Sequence, residues 1–447
     1  LSAKEEKILA MAGDIVQGPG NIFGMLNNAD LEFPTIEDKN GEEIRVTHGR
    51  FIDFMQSKDR QVRKDAFSAL YSKYDEFDNT FATTLNTAVK GHIFNAKARN
   101  YNSALAAALD EDNVSTDVYN NLIKTVKENI EPMYKYVNLR KKVLGVDELH
   151  IYDIYTPLVQ EVEMEIPFTE AKEIVAEGVK PLGDEYINIL QKGYDSGWID
   201  VFENKGKRSG AYSSGCYGVH PYVLLNYTDT LNNVFTLAHE MGHALHTYYS
   251  NENQPFVYAN YKIFVAEVAS TLNETLLIHY LLEKTDDEDK QKYLINHYLE
   301  QFRGTVYRQT MFAEFEKIIH EKAEEGIPLT SQFLKETYHR LNEEYYGPDI
   351  IIDEQIDLEW ARIPHFYYNF YVYKYATGFS AATALASKII ENGQTAVDSY
   401  LNFLKSGNSD YPINLLKTAG VDMSSPDPIE TAIGTFREFV DKFEQLS

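Results

Sequence analysis

The sequence predicts a mainly α-helical protein with one small β-sheet. Three observations carry that expectation. Long stretches repeat apolar residues at helical spacing and open on cap residues. One glycine-punctuated interval, residues 198–227, breaks the pattern with short β-like runs. The chain has 447 residues and no repeat or low-complexity segment, which is enough for a large core and two lobes.

The elements follow in order. Gly18-Pro19-Gly20 lacks the strand–turn–helix setting of a nucleotide loop and reads as a turn. Leu31 to Ile36 and Glu43 to Val46 read as a hairpin about a Lys39-Asn40-Gly41 turn. Helices are expected from about Gly49 to Gln56, from a Ser57 cap to about Ala98 with breaks, and from Ser115-Thr116-Asp117 toward Val143. Pro167-Phe168 opens another, with Thr169 as N-cap. The β pieces are Trp198 to Phe202, Gly210 to Ser213 and Tyr222 to Tyr227. Helices resume over Leu231 to Tyr249, Glu267 to Leu282, Asp287 to Glu325, Ser331 to Tyr346 and about Tyr367 to Glu391. Asp427 as N-cap and Pro428 at the first helical position open the last.

Composition narrows the function classes. A formal net charge of −26 would repel a phosphate backbone, so nucleic acid is not an expected partner. No apolar run is long enough to span a membrane. The start, Leu1-Ser2-Ala3-Lys4-Glu5-Glu6, is charged and lacks a signal-peptide apolar run. The single cysteine, Cys216, excludes an internal disulfide and fits a reducing compartment, so a cytoplasmic location is expected. The 32 tyrosines can bury much area and can also line a polar channel.

The helix over Leu231 to Tyr249 carries His239-Glu240-Met241-Gly242-His243, an HExxH motif. Residues four apart on a helix share a face. Two imidazoles so placed can chelate one zinc ion, and the adjacent glutamate can act as general base on the attacking water. Phe235, Leu237, Ala238, Met241, Ala244 and Leu245 make the helix largely apolar, so two histidines and a carboxylate on it need a reason. The plain alternative is a surface helix with solvated polar groups.

Catalytic zinc takes three protein ligands and leaves a position open. His246 lies on the same helix and cannot converge with the pair on one ion. A metzincin would place Gly at 246 and His at 249, where this chain has His246 and Tyr249. The other known solution is a glutamate on a following helix. Glu267, in Phe264-Val265-Ala266-Glu267-Val268, is such a carboxylate in an apolar setting. Glu274 follows two turns on, on the same face, and is read as the carboxylate that orients a ligand histidine through its other ring nitrogen. Two ordinary carboxylates on an amphipathic helix remain the plain alternative.

Beyond these residues, the chain resembles the thimet-oligopeptidase superfamily of zinc metallopeptidases, and oligoendopeptidase F most closely. The resemblance rests on Gly210-Ala211-Tyr212, on Pro221 to Tyr227, on HEMGHALH, on FVAEVASTLNE, and on His365 to Gly378, in that order and spacing. Asn27-Asn28-Ala29-Asp30 and Asp65-Ala66-Phe67 extend it upstream, so it covers essentially the whole chain. It implies a nearly all-helical fold around a deep channel with one zinc ion at its floor, and cleavage of short peptides. It implies a further helical segment ahead of Leu1, so residues 1–195 are expected to be an incomplete N-terminal helical region and 196–447 the catalytic region. It also puts His365 and a tyrosine of the late segment in the role of donors to the developing oxyanion. Tyr373 ranks first, Tyr371 second, and Tyr368 competes because a helix would place it nearer His365.

The expected function is therefore a zinc endopeptidase of short oligopeptides. An exposed strand edge at Gly210-Ala211-Tyr212 would pair with the backbone of an extended substrate; loop punctuation is the alternative for those residues. A carboxypeptidase-type exopeptidase and a peptide-binding scaffold without catalysis are the competing functions.

Overall fold

The computed structural model describes residues 1–38, 40–159 and 165–447. It is mainly α-helical, with two small sheets among the described residues. The chain forms two compact units, each assembled from separate segments. One unit holds Leu1–Glu111, Ile130–Leu158 and Tyr307–Tyr373; the other holds Asp112–Asn129, Val159–Val306 and Lys374–Ser447. Both units draw on residues from either side of position 195.

In the first unit, a helix runs over Ala3–Met25 from a Ser2–Glu5 capping box. Gly18-Pro19-Gly20, expected as a turn, lies inside it. Proline there removes the bond to the carbonyl of Ile15. Ile15 is 79% exposed, so water can replace that bond, while Pro19 itself is buried. Strand β1 (Thr35–Glu37) pairs antiparallel with β2 (Glu43–Arg45), with Ile36 opposite Ile44. This is the expected hairpin, shorter than read; the Asp38 carboxylate accepts from the backbone of Asn40 and Glu42, and Lys39 lies outside the described residues.

The helix expected from Ser57 is two helices. Arg60–Glu76 is capped by Asp59, and Ser57 instead accepts from the Asp59 backbone; Asp78–Ala98 follows. A buried carboxylate, Asp153, ties this region together by accepting from Arg63 at 2.7 Å and Arg60 at 2.9 Å. The long helix expected through residue 325 is interrupted by a π-helical turn at Arg303–Tyr307, and the first unit takes the helix Arg308–Glu324.

In the second unit, Ser115 caps Thr116–Glu128 as expected. The helix stops there, and Glu131–Leu144 of the first unit begins with Pro132 in its first turn. Phe168–Gly178 starts at Pro167 rather than at a Thr169 cap, and Asp427–Leu446 is preceded by Pro426 rather than capped by Asp427. Strand β3 (Ile199–Asp200) runs parallel to β5 (Tyr222–Leu224), and β4 (Tyr212–Ser214) runs antiparallel to it. The order β3-β5-β4 leaves β4 an outer strand. After β5 comes the motif helix, Leu231–Asn253, capped by Thr230. It packs on β4, β5, Phe168–Gly178, Gln394–Lys405 and, most extensively, Ala266–Lys284.

Candidate metal centre

The motif helix and Ala266–Lys284 meet at a glycine. A Cβ on Gly242 would lie 2.6 Å from the Ser270 Cα and 2.7 Å from the Ala269 carbonyl oxygen. Only a residue without a side chain permits that approach. The helices are also bolted by Asn273, whose Nδ2 donates to the Ala238 carbonyl at 3.0 Å while its Oδ1 accepts from the Tyr186 hydroxyl. This close approach brings a residue 24 positions after the motif, Glu267, onto its two histidines.

His239 Nε2 and His243 Nε2 lie 3.2 Å apart, and Glu267 Oε2 lies 3.4 Å from each. Among the described residues these three side chains form the one group of histidine, cysteine and carboxylate donors with metal-binding spacing. Behind them, His239 Nδ1 donates to Glu274 Oε1 at 2.6 Å. That bond leaves the His239 Nε2 lone pair facing the other two donors. Gln301 Nε2 in turn donates to Glu274 Oε2 at 2.6 Å, and the same nitrogen lies 3.4 Å from His297 Nε2. Ser270 Oγ donates to Glu267 Oε2 at 3.2 Å.

The donor set fits a divalent metal such as zinc. Ligands about 2.0–2.2 Å from a tetrahedral centre stand roughly 3.3–3.6 Å from one another, close to the spacing found here. The chemistry of two imidazoles and one carboxylate suits zinc as well. Without a cation, lone pairs converging at this distance repel one another. Burial disfavours charge on His239, yet Glu274 and then Glu267 outweigh it and carry its pKa well above the ordinary imidazole value. Burial alone would raise the Glu267 pKa, but bonds from both imidazoles hold it far below the usual carboxylate range.

Glu240 follows His239 on the same helix. It is buried, and its Oε2 has no hydrogen-bond partner among the described residues. Burial lifts its pKa; the two motif imidazoles and the Ser213 backbone N–H on β4 partly oppose that. The histidine pair is less enclosed than the apolar helix suggested, with side chains 29% and 17% exposed. His246, set aside as a ligand, is buried, stacks on Tyr261 at 3.7 Å, and is pushed down to about 3 by that burial.

The remaining expected site residues fall in two places. Gly210 sits at φ +87° just before β4, its carbonyl accepting from Asn226 Nδ2; Ala211 follows, and Tyr212 opens β4, 46% exposed. The late segment belongs, as far as Tyr373, to the first unit. There His365 lies in a short 3-10 turn, Pro364–Tyr367, with the Tyr368 ring 5.5 Å and the Tyr371 ring 5.9 Å away. The helix expected from Tyr367 starts only at Tyr373. Asn369 and Phe370, both at positive φ, turn the chain back before it, which brings Tyr371 almost as near to His365 as Tyr368. Tyr373 is fully buried.

Sequence reasoning missed Gln301, Ser270, Asn273 and the Ser213 backbone. Ser270 follows Glu267 by three on one helix and was within reach of a face argument. Gln301 and Ser213 lie on other elements, and no spacing in the sequence announces them.

An HExxH helix, a glutamate from the next helix and a mainly helical fold define a metallopeptidase type of site. Residues 53–435 match Peptidase family M3, and residues 1–33 match Oligopeptidase F. Oligopeptidase PepF of Bacillus subtilis is 54% identical over 446 residues, covering 100% of this chain and 67% of that protein. Group B oligopeptidase PepB of Streptococcus agalactiae is 47% identical, covering 100% of this chain and 74% of that protein. The crystal structure of oligoendopeptidase-F from Enterococcus faecium superposes with a TM-score of 0.84 at 44% identity, over 100% of this chain and 75% of that one. The chain belongs to peptidase family M3 and is a metalloendopeptidase homologous to oligoendopeptidase F.

Proposed function

We propose that this chain is a zinc endopeptidase that cuts internal bonds of short oligopeptides in the cytoplasm. The observation that carries the proposal is the convergence of His239 Nε2, His243 Nε2 and Glu267 Oε2 at 3.2–3.4 Å. These three side chains would hold one zinc ion, which supplies Lewis acidity toward water and the scissile carbonyl. Glu274 fixes the tautomer and orientation of His239. Glu240 accepts the proton of the attacking water and passes it to the leaving amine; its raised pKa brings it nearer to that task. All the proposed catalytic groups lie within residues 196–447.

The outer strand β4, which Tyr212 opens, and Gly210-Ala211 ahead of it would bond to the backbone of an extended peptide. Main-chain pairing suits an enzyme that accepts many side chains. On the family resemblance, His365 and a tyrosine supply hydrogen bonds to the carbonyl oxygen as it gains charge. Full burial of Tyr373 favours Tyr371, with Tyr368 next, over Tyr373 for that role. The single cysteine supports a reducing compartment, and the names of the relatives support short peptides as substrates.

Glu240→Gln tests the assignment. Metal content is expected to stay at the parental level while hydrolysis of a terminally blocked peptide falls about 10²–10⁴-fold. Undiminished hydrolysis would refute the role of Glu240. Cleavage that requires a free terminus would instead establish an exopeptidase.

A further inference from the structure

Glu316 is a fully buried carboxyl that the reaction does not use. It lies on Arg308–Glu324 in the first unit. Its Oε1 accepts from the Phe370 backbone N–H at 2.6 Å, and its Oε2 has no hydrogen-bond partner among the described residues. Burial without a cation pushes it up to about 8, so it stands as a neutral acid near pH 7. An isolated buried carboxyl is costly, and apolar packing would serve stability better. The question is what this one holds.

It holds a strained turn. Asn369 at φ 51° and Phe370 at φ 60° are consecutive non-glycine residues in the left-handed region. Asparagine tolerates that conformation, but a bulky aromatic residue rarely adopts it and persists there only when its surroundings insist. Phe370 is gripped twice. Glu316 takes its N–H, and His320, one helical turn on, takes its ring at 4.3 Å. His320 is itself fixed: its Nδ1 donates to the Glu316 carbonyl at 2.8 Å and its Nε2 lies 3.1 Å from His92 Nδ1.

The turn sets where Tyr371 goes. A continuous helix through residues 365–371 would carry Tyr371 away from His365; the left-handed pair folds it back, with ring centroids 5.9 Å apart. Tyr371 follows Phe370 directly, so rotation at Phe370 swings that ring.

We propose that Glu316 is a positioning residue for hydrolysis: by clamping the Phe370 N–H it keeps Tyr371 beside His365 in the arrangement that serves the substrate. This rests on the reading that the late segment supplies donors to the peptide.

The test compares steady-state cleavage of a blocked, internally quenched oligopeptide by Glu316→Leu, Glu316→Asp and Glu316→Gln. Leucine removes the acceptor, and aspartate shortens it out of reach with less disturbance should the leucine variant fail to fold. Both are expected to lose about tenfold or more in kcat, with KM within about twofold and metal content unchanged. Glutamine, which still offers an acceptor to Phe370, is expected to restore kcat to within about threefold. Glu359→Gln serves as the control, because Glu359 is another buried carboxyl of this unit, paired with Arg308 and Tyr338. It is expected to lower the thermal midpoint and leave kcat alone. An equal kcat loss at equal destabilisation in Glu359→Gln, or parental kcat in a folded Glu316→Asp, would overturn the proposal. Tyr371→Phe and His365→Ala separate the two layers. If neither lowers kcat, the reading of the late segment falls and takes the proposal with it; if they do and the Glu316 variants do not, the proposal alone falls.

Discussion

Gln301 shows how far the candidate site extends beyond its ligands. Its amide holds Glu274 Oε2 while the other oxygen of Glu274 takes the His239 proton. Gln301→Leu would leave that buried oxygen unpaired and is expected to weaken zinc retention about 10–100-fold, read by competition with a chromophoric chelator. Glu267→Ala removes a donor outright and is expected to yield a chain that loses its metal on dialysis. His239, Glu240 and His243 were legible in the sequence because helical spacing alone places them on one face. Glu267 and Glu274 were legible because seven residues are two turns. Gln301 was not, because its contact with Glu274 spans 27 positions and two helices. Helical spacing does not apply across Asn369 and Phe370, whose backbone leaves the helical region, so the sequence had no means of placing Tyr371 near His365.

At the scale of elements, the decisive contact is between two helices that touch at Gly242. An added methyl would meet backbone atoms at 2.6–2.8 Å, and backbone cannot yield as a flexible side chain does. Gly242→Ala is expected to destabilise the fold by about 1–3 kcal/mol in denaturant unfolding. It should also weaken metal binding, because separating the helices withdraws Glu267. The sequence showed the glycine between the histidines but not what approaches it. Most helices were legible from apolar period and caps, such as Ser115 and Asp287. The errors fall where tertiary packing overrides a local signal. Gly18-Pro19-Gly20 stays helical with Pro19 buried, and Arg303–Tyr307 bulges without a proline.

At the scale of the molecule, each compact unit gathers segments far apart in sequence, an organisation that composition and periodicity cannot report. Its stability should carry the mark of one buried acid. Glu316 has a folded pKa near 8 against an ordinary 4.5. It keeps its proton in the fold through that interval and sheds it on unfolding. Its favourable contribution is therefore complete below about pH 4.5 and declines as pH rises toward about 8. Relative to the parent, Glu316→Gln is expected to gain thermal midpoint steadily between about pH 5 and pH 8; a constant difference would contradict the assigned pKa. The central claim concerns the metal. The most direct measurement titrates chelator-stripped chain with Zn²⁺ while following both bound metal and cleavage of a terminally blocked peptide. Activity is expected to rise from zero and saturate at one zinc per chain, and Glu267→Ala should show neither tight binding nor recovery. Hydrolysis that persists in the stripped chain, or zinc that binds with equal stoichiometry and affinity after Glu267→Ala, would contradict it.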